Sequence, residues 1–337
     1  MSNDLKICHD RIVPQDLSRW QPTVRSRGNV TRAIIVLRKM WVNGSILRVS
    51  FMGGTAAQQT LVKQQAAWWT KHANLTFRFI DVPDAEIRIA FDPGDGAWSY
   101  VGTDCRTIPQ GEPTMNLGFL DGGTTAHEFG HAIGLGHEHQ NPKGGIEWKD
   151  DVVISSLGGA PNFWTPEQVR HNVLSKYGVD QIKGSEFDGE SIMLYFFPGS
   201  WTKSGKGTKA NEVLSKTDQN FIASGEAYPR TAVEAVKLTV NSKASTPAQI
   251  GSPGEEDLFT FAAKTSGRHT VSTSGKTNVV LKLFGPNSQT SLIAEDDDSG
   301  VGENARVIAD LIPGQYFAQV RHFGKTGTGS YRIAVRK

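Results

Sequence analysis

Apolar positions along the chain change period several times, and each change marks a different kind of structure. Residues 32–37 and 46–51 are short runs rich in aliphatic side chains, the texture of strands. Gly53-Gly54 ends the second run, and residues 55–72 then carry apolar side chains at helical spacing. That predicts an amphipathic helix starting near Thr55 or Gly54, with Trp68-Trp69 turned into a core. Residues 75–80 and 85–91 return to strand texture. In the latter, Ile87, Ile89 and Phe91 alternate with Glu86, Arg88 and Ala90, the pattern of a strand covered on one face. Residues 92–96 read as a turn, and 124–133 as a helix that stops at Gly134. Loops and helices fill 138–230. Thr165-Pro166-Glu167 is a helix start with Thr165 as N-cap, and 217–228 is the last helix before Pro229.

After about residue 235 the period shortens to two. Alternating segments at 257–263, 269–273, 279–284, 306–310, 315–321 and 331–335 are separated by Gly, Pro, Asn and Ser, the spacing of an all-β sandwich. No internal repeat suggests a solenoid. The expected organisation is an N-terminal extension at 1–30, an α+β domain at 31–230 and a β-sandwich at 236–337.

Composition narrows this picture. A chain of 337 residues suits about two domains. The net charge of +2 gives no reason to expect a nucleic-acid partner or an anionic membrane surface. No uncharged run approaches the roughly 20 residues of a membrane span, and the first ten residues hold no apolar signal core. Two cysteines, Cys8 and Cys105, allow one bridge at most.

Chemistry concentrates in His127-Glu128-Phe129-Gly130-His131-Ala132-Ile133-Gly134-Leu135-Gly136-His137. Helix positions four apart share a face, so His127 and His131 point two imidazoles at one ion. Gly134 tolerates positive φ and lets the chain turn out of the helix, bringing His137 back as a third ligand. Three protein ligands leave one position open for water, the pattern of a catalytic zinc site. Glu128 lies beside the ligands without joining them, where it can take a proton from that water. A competing reading makes Thr125 and Glu128 a capping box; it leaves three histidines unexplained.

This motif resembles that of the metzincin metallopeptidases, H-E-x-x-H-x-x-G-x-x-H followed by a methionine turn, here Ser191-Ile192-Met193-Leu194-Tyr195. The resemblance implies a metzincin-like catalytic domain, a twisted mixed sheet plus active-site helix, ahead of the sandwich. It implies a secreted endopeptidase that binds one Zn2+ and acts on protein or peptide substrates, expected as a monomer. Met193 would form a floor under the metal, and Tyr195 would stabilise the transition state. Glu138, after the third histidine, places the site near the astacin group. The strand at 85–91 would edge the cleft and pair with extended substrate, with residues 98–102 on the rim. Leu194 and residues 139–142 depart from the astacin pattern, and two cysteines cannot supply the two disulfides usual there. Residues from about 236 resemble the pre-peptidase C-terminal domain, a non-catalytic β-sandwich, on Glu256-Asp257-Leu258-Phe259-Thr260-Phe261, Pro313-Gly314-Gln315-Tyr316 and Gly327-Thr328-Gly329-Ser330-Tyr331.

Two rival functions use the same residues: a zinc amidase acting on cell-wall or other non-protein amides, and a non-catalytic binding protein of peptidase ancestry. The intact Glu128 weighs against the second. Among lesser features, Glu295-Asp296-Asp297-Asp298-Ser299-Gly300 suits either Ca2+ or a solvated turn, the turn being favoured. Cys8 is either an incidental thiol, the favoured reading, or a zinc-directed latch. Arg170 and Lys176 are candidates for selecting acidic substrate side chains. His72, His139, His171, His269 and His322 lack ligand spacing and read as structural or surface residues.

Overall fold

The computed structural model describes residues 35–36, 39–159, 163–178, 182–183, 186–229, 235–251, 255–287, 289, 291–324 and 327–337. They form two units, one of residues up to Trp41 with Leu47–Tyr228, the other of Val42–Ile46 with Pro229–Lys337. Cys8 lies outside the described residues.

The first unit runs β1 (Ile35–Val36), β2 (Ile46–Phe51), α1 (Ala56–Thr70), β3 (Thr76–Phe79), β4 (Ile87–Ala90), β5 (Ala97–Ser99), β6 (Met115–Leu117), α2 (Thr124–Ala132), α3 (Asp150–Gly158), α4 (Pro166–Val169), β7 (Ile182–Lys183) and α5 (Lys216–Ile222). A five-stranded sheet has the order β3-β2-β4-β6-β5. β2, β4 and β6 are parallel and β5 is antiparallel, so the sheet is mixed. Thr55 caps α1 through a capping box with Gln58. Trp69 and Ala66 of α1 join Phe129, Ile133 and Met193 in one buried core. A second core gathers Val153, Val169, Leu194, Phe197 and Trp201.

The sheet corrects the expectation for residues 85–91. β4 is paired on both sides, with β2 and with β6, and leaves no backbone edge for a substrate strand. The edge is β5. β4 is also buried on both faces. Arg88, at the polar phase of the alternation, is 4% exposed. Its guanidinium donates to the carbonyls of Ala85 at 2.8 Å, Ile108 at 3.1 Å, Pro109 at 3.1 Å and Glu112 at 2.7 Å. Those four bonds satisfy a buried cation and fasten the 108–112 loop that follows the β5 strand.

Two helices differ from expectation. Thr165 caps α4 as predicted, but α4 is one turn long and continues as a π-helix over Arg170–Leu174. α5 begins beneath Ser215 and ends at Ile222, six residues short of Tyr228, because the chain turns at Ser224 and Gly225.

The second unit is a β-sandwich. One sheet has the order β13-β12-β15-β10-β8, the other β14-β11-β16-β9. The strands are β8 (Val236–Lys237), β9 (Thr246–Ile250), β10 (Glu256–Ala263), β11 (Gly267–Gly275), β12 (Val279–Phe284), β13 (Leu292–Asp296), β14 (Arg306–Leu311), β15 (Gly314–His322) and β16 (Gly329–Arg336). All pairings are antiparallel except β8 with β10. Phe259, Phe261, Val271, Leu281, Tyr316, Tyr331 and Ile333 fill its core from alternate strand positions. The sequence reading missed β8, β9 and β13, whose apolar alternation is weakest. Among the described residues no helix is long and apolar enough to cross a membrane.

Candidate metal centre

The site is built on α2, whose two ends are fixed by side chains from elsewhere in the unit. At its start, Gln65 of α1 donates to Gly122 O at 2.8 Å and accepts from Ala126 N at 3.1 Å, while Trp69 Nε1 donates to Ala126 O at 2.7 Å. At its end, Trp41 Nε1 donates to Ala132 O at 2.8 Å and the Tyr228 hydroxyl to Ile133 O at 2.7 Å. These satisfy carbonyls that a helix terminus otherwise leaves open. The N-cap is Gly123, with no side-chain cap bond, so the Thr125–Glu128 capping box does not form.

Gly134 does what its sequence position predicts. It adopts φ +100°, Gly134 N donates to His131 O at 2.7 Å, and Leu135 N donates to Gly130 O at 2.9 Å. That pair of bonds is a Schellman turn. The turn sends Leu135 O back to accept from His131 Nδ1 at 2.9 Å and returns His137 toward the helix. The Nε2 of His131 lies 3.1 Å from that of His127 and 3.0 Å from that of His137.

This arrangement fits a zinc ion. His127 Nδ1 bonds the carbonyl of Ile192 at 2.7 Å, and His131 Nδ1 bonds that of Leu135. A carbonyl only accepts, so each Nδ1 carries the proton and each Nε2 offers a lone pair to the cluster. The lone pairs of His127 and His131, facing one another at 3.1 Å, repel unless a cation lies among them. Nitrogens bound tetrahedrally to zinc would stand about 3.3 Å apart. Burial, with the neighbouring His131 second, holds His127 and His137 well below the usual histidine range, so both are neutral and ready to ligate. Among the described residues this is the one cluster of three His, Cys, Asp or Glu side chains gathered closely enough to hold a metal.

The other predicted residues surround the triad. Glu128 is completely buried on the same helix. The Tyr195 hydroxyl contacts His137 Nε2, and its ring lies 4.9 Å from that of His127 and 4.6 Å from that of His137. Met193 lies against α2 at Gly130, where an added Cβ would come 2.4 Å from its sulfur and 3.1 Å from the Trp69 ring. Gly130 is thus needed for the methionine to approach the helix between the two histidine turns. Met193 belongs to the first core and Leu194 to the second, which is why a leucine fits at 194.

Further residues organise the site. Glu138 N donates to Met193 O at 2.9 Å, and Glu138 Oε1 accepts from Asn141 Nδ2 at 3.0 Å and Asp188 N at 2.9 Å. Burial raises the Glu138 carboxyl to about 8. His139 is fully buried, stacks on His137 at 5.1 Å and bonds Asn172 O at 2.9 Å. Gln140 Nε2 donates to His171 O at 2.6 Å. His139 and Gln140, at positions that depart from the astacin pattern, therefore lock the π-helix beside the site. Asp218 of α5 is 1% exposed and accepts from Ser191 Oγ at 2.7 Å, Ile192 N at 2.8 Å and Ser215 N at 2.9 Å. It holds Ile192, the residue whose carbonyl orients His127. A capping-box pattern, Ser215 followed by Asp218, was the available signal for it.

The remaining candidates fall elsewhere. Lys176 Nζ donates to Gly144 O at 2.5 Å, so its ammonium serves the backbone; Arg170 is exposed in the π-helix. Cys105 is free and buried, and burial pushes its thiol upward. In the acidic run, Asp296 accepts from Ser299 N at 3.1 Å and Arg306 N at 2.7 Å, the bonds of a closed turn.

A mixed sheet, a helix carrying two histidines, a glycine turn delivering the third and a methionine turn beneath define a metzincin-type zinc metallopeptidase fold. The family model for astacin, a peptidase family, matches residues 33–219, and the chain belongs to that family. The family is zinc-dependent, and the three histidines are its candidate zinc site here. Human Tolloid-like protein 2 is 33% identical over 207 residues, 60% of this chain and 18% of that protein. Astacin-like metalloprotease toxin 1 of Loxosceles intermedia is 26% identical over 158 residues, 47% of this chain and 54% of the toxin. The solved structure of myroilysin is 39% identical, covers 59% of this chain and 100% of its own, and has a TM-score of 0.56. The chain spans only 17–18% of the length of the tolloid-like relatives it matches.

Proposed function

We propose that the chain is a zinc-dependent endopeptidase that works outside the cell, with Glu128 as general base and His127, His131 and His137 as ligands. The observation that carries the reading is the convergence of three Nε2 atoms at 3.0–3.1 Å beside a buried glutamate on the same helix. Zinc bound by the three histidines would polarise the scissile carbonyl and acidify the attacking water. The Glu128 carboxylate takes the proton of that water and passes one to the leaving nitrogen. The Tyr195 hydroxyl, in contact with His137, donates a hydrogen bond to the oxyanion as it forms. Extended substrate pairs with β5, the antiparallel edge strand, in place of β4, whose two edges are already paired. The domain assignment proposed is catalysis in 31–230 and an accessory sandwich in 236–337.

The test is cleavage of casein or gelatin, with and without a zinc chelator, beside Glu128→Ala. Wild-type cleavage that the chelator stops and zinc restores is expected, with Glu128→Ala folded and about 10²–10⁴-fold slower. Full activity in that variant would remove Glu128 from the mechanism. A folded, zinc-loaded wild type that cleaves no peptide would turn the site toward non-protein amides.

A further inference from the structure

The outer face of the β14-β11-β16-β9 sheet carries arginines around a floor of small side chains. His269, Val271 and Thr273 of β11 point into the sandwich core, so Arg268, Thr270, Ser272 and Ser274 point out. Register then places their neighbours. Ser272 lies between Arg306 of β14 and Ala334 of β16, Thr270 between Ile308 and Arg336, and Ser274 beside Arg332. Small side chains thus make a floor, with Arg306, Arg332 and Arg336 around it at Cα separations of about 12–14 Å. Arg268 pairs with Asp310, the one acidic residue on the face, at 3.6 Å. Among the described residues Arg306, Arg332 and Arg336 make no ion pair within 4.0 Å. Asp296, at the neighbouring strand end, feels the Arg306 charge and offsets part of it. Arg332 is held in place by Ser245, through Nε to Oγ at 2.7 Å and Nη2 to the carbonyl at 2.5 Å.

We propose that this face docks the protein on an acidic polysaccharide, a polyuronate, through these three arginines. A guanidinium meets a carboxylate as a planar fork, a match that an ammonium lacks. The cations are too far apart for one small anion, so the complementary ligand repeats its charge. The floor of hydroxyls suits sugar hydroxyls. It holds no aromatic side chain on which a nucleobase could stack. Ile308 is the single large exposed apolar residue on the strands of this face, with Ile312 just past the end of β14, too little for the buried centre of a protein interface or for insertion into lipid. The chain's net charge of +2 hides this local excess.

The test uses the full-length chain on immobilised polygalacturonate at about 0.1 M salt, beside its methyl-esterified, uncharged form and polyglutamate. Two variants are compared: Arg306→Ser/Arg332→Ser/Arg336→Ser, and a charge-matched control, Lys243→Ser/Lys264→Ser/Lys276→Ser, in exposed turns of the same unit. Retention on the acidic polymer, at least about ten-fold weaker in the arginine variant and nearly unchanged in the lysine variant, is expected. Hydrolysis of a soluble peptide by both variants should match the wild type. Equal losses in the two variants, equal retention on the esterified polymer, or no retention of the wild type would each overturn the proposal. Tighter binding to polyglutamate would assign the face to an acidic protein instead.

Discussion

Residues 127–137 hold four metal-type side chains spread over eleven positions, whereas residues 295–298 hold four in succession. The sparse set converges and the dense set disperses. His127 and His131 share a helix face, and backbone carbonyls from the methionine turn and the Schellman turn aim both rings inward. Glu295 and Asp296 are consecutive strand residues and point to opposite faces. Glu295 approaches Lys282 at 3.7 Å, while Asp296 folds back on Ser299 and Arg306. Backbone geometry and outer hydrogen bonds, more than the density of ligand atoms, make the metal site.

The sharpest break in this comparison comes from the triad itself. His131→Ala should lose tightly held zinc and all measurable proteolysis, whereas Glu128→Ala should keep one zinc per chain. Metal analysis after dialysis checks both. Retention of one zinc by His131→Ala would show that convergence of the three nitrogens is not what binds it.

The next effect probes the outer hydrogen bonds. Asp218→Asn replaces an acceptor-only carboxylate with an amide that has one acceptor and two donors, so it cannot accept from Ser191, Ile192 and Ser215 together. Zinc affinity should fall about 10–100-fold, read by competition with a chelator, through a looser Ile192 carbonyl behind His127. Stability adds a signature. Burial raises the Asp218 carboxyl to about 6 from 3.8, so the folded state holds its proton more tightly than the unfolded chain. The stability of wild type relative to Asp218→Asn should be greatest below about pH 4. It should fall by up to about 3 kcal/mol as pH rises to about 6, then level off. A pH-independent difference in denaturant midpoints would exclude that ionisation.

Gly130→Ala tests the methionine floor. The new Cβ would stand 2.4 Å from the Met193 sulfur, in a core with no room to shift toward Trp69 at 3.1 Å. A loss of about 1–3 kcal/mol is expected from overpacking, measured by thermal unfolding. No loss would mean that Met193 moves freely and does not brace the helix.

How much of this was readable beforehand differs between the parts. The three histidines, Glu128 and Gly134 stand at fixed local spacings, which helix and turn geometry convert into proximity, whereas Met193, far along the chain, was legible only through the resemblance to the metzincin methionine turn. The edge of the sheet was not readable. Alternation in residues 85–91 predicts one covered face, but a strand's neighbours are set by crossovers far along the chain, and the buried Arg88 broke the pattern at its polar phase. Asp218 escaped for a related reason: it reaches Ile192 across 26 positions, and nothing local announces that partner. His139 read as a structural or surface residue, and the partner that makes it structural, Asn172, lies 33 positions away. The sandwich strands were legible where apolar alternation is strong. β9 and β13 were not, because half-covered strands near a sheet margin alternate weakly.

The smallest effect belongs to the acidic run, and its smallness is the point. Asp297 and Asp298 sit in the bend after β13, and the bonds that close the turn belong to Asp296. Asp297→Asn/Asp298→Asn therefore removes two charges without removing a turn partner. Stability should change by less than about 0.5 kcal/mol. The melting temperature of wild type should also be the same with and without millimolar calcium, since a ligand that binds only the folded state raises it in proportion to the logarithm of its concentration. A calcium-dependent rise that disappears in the double variant would mean that the dense run assembles a site once the ion arrives. It would then be a ligand-organised site, in contrast to the histidine triad, whose nitrogens are held in place by the protein's own carbonyls.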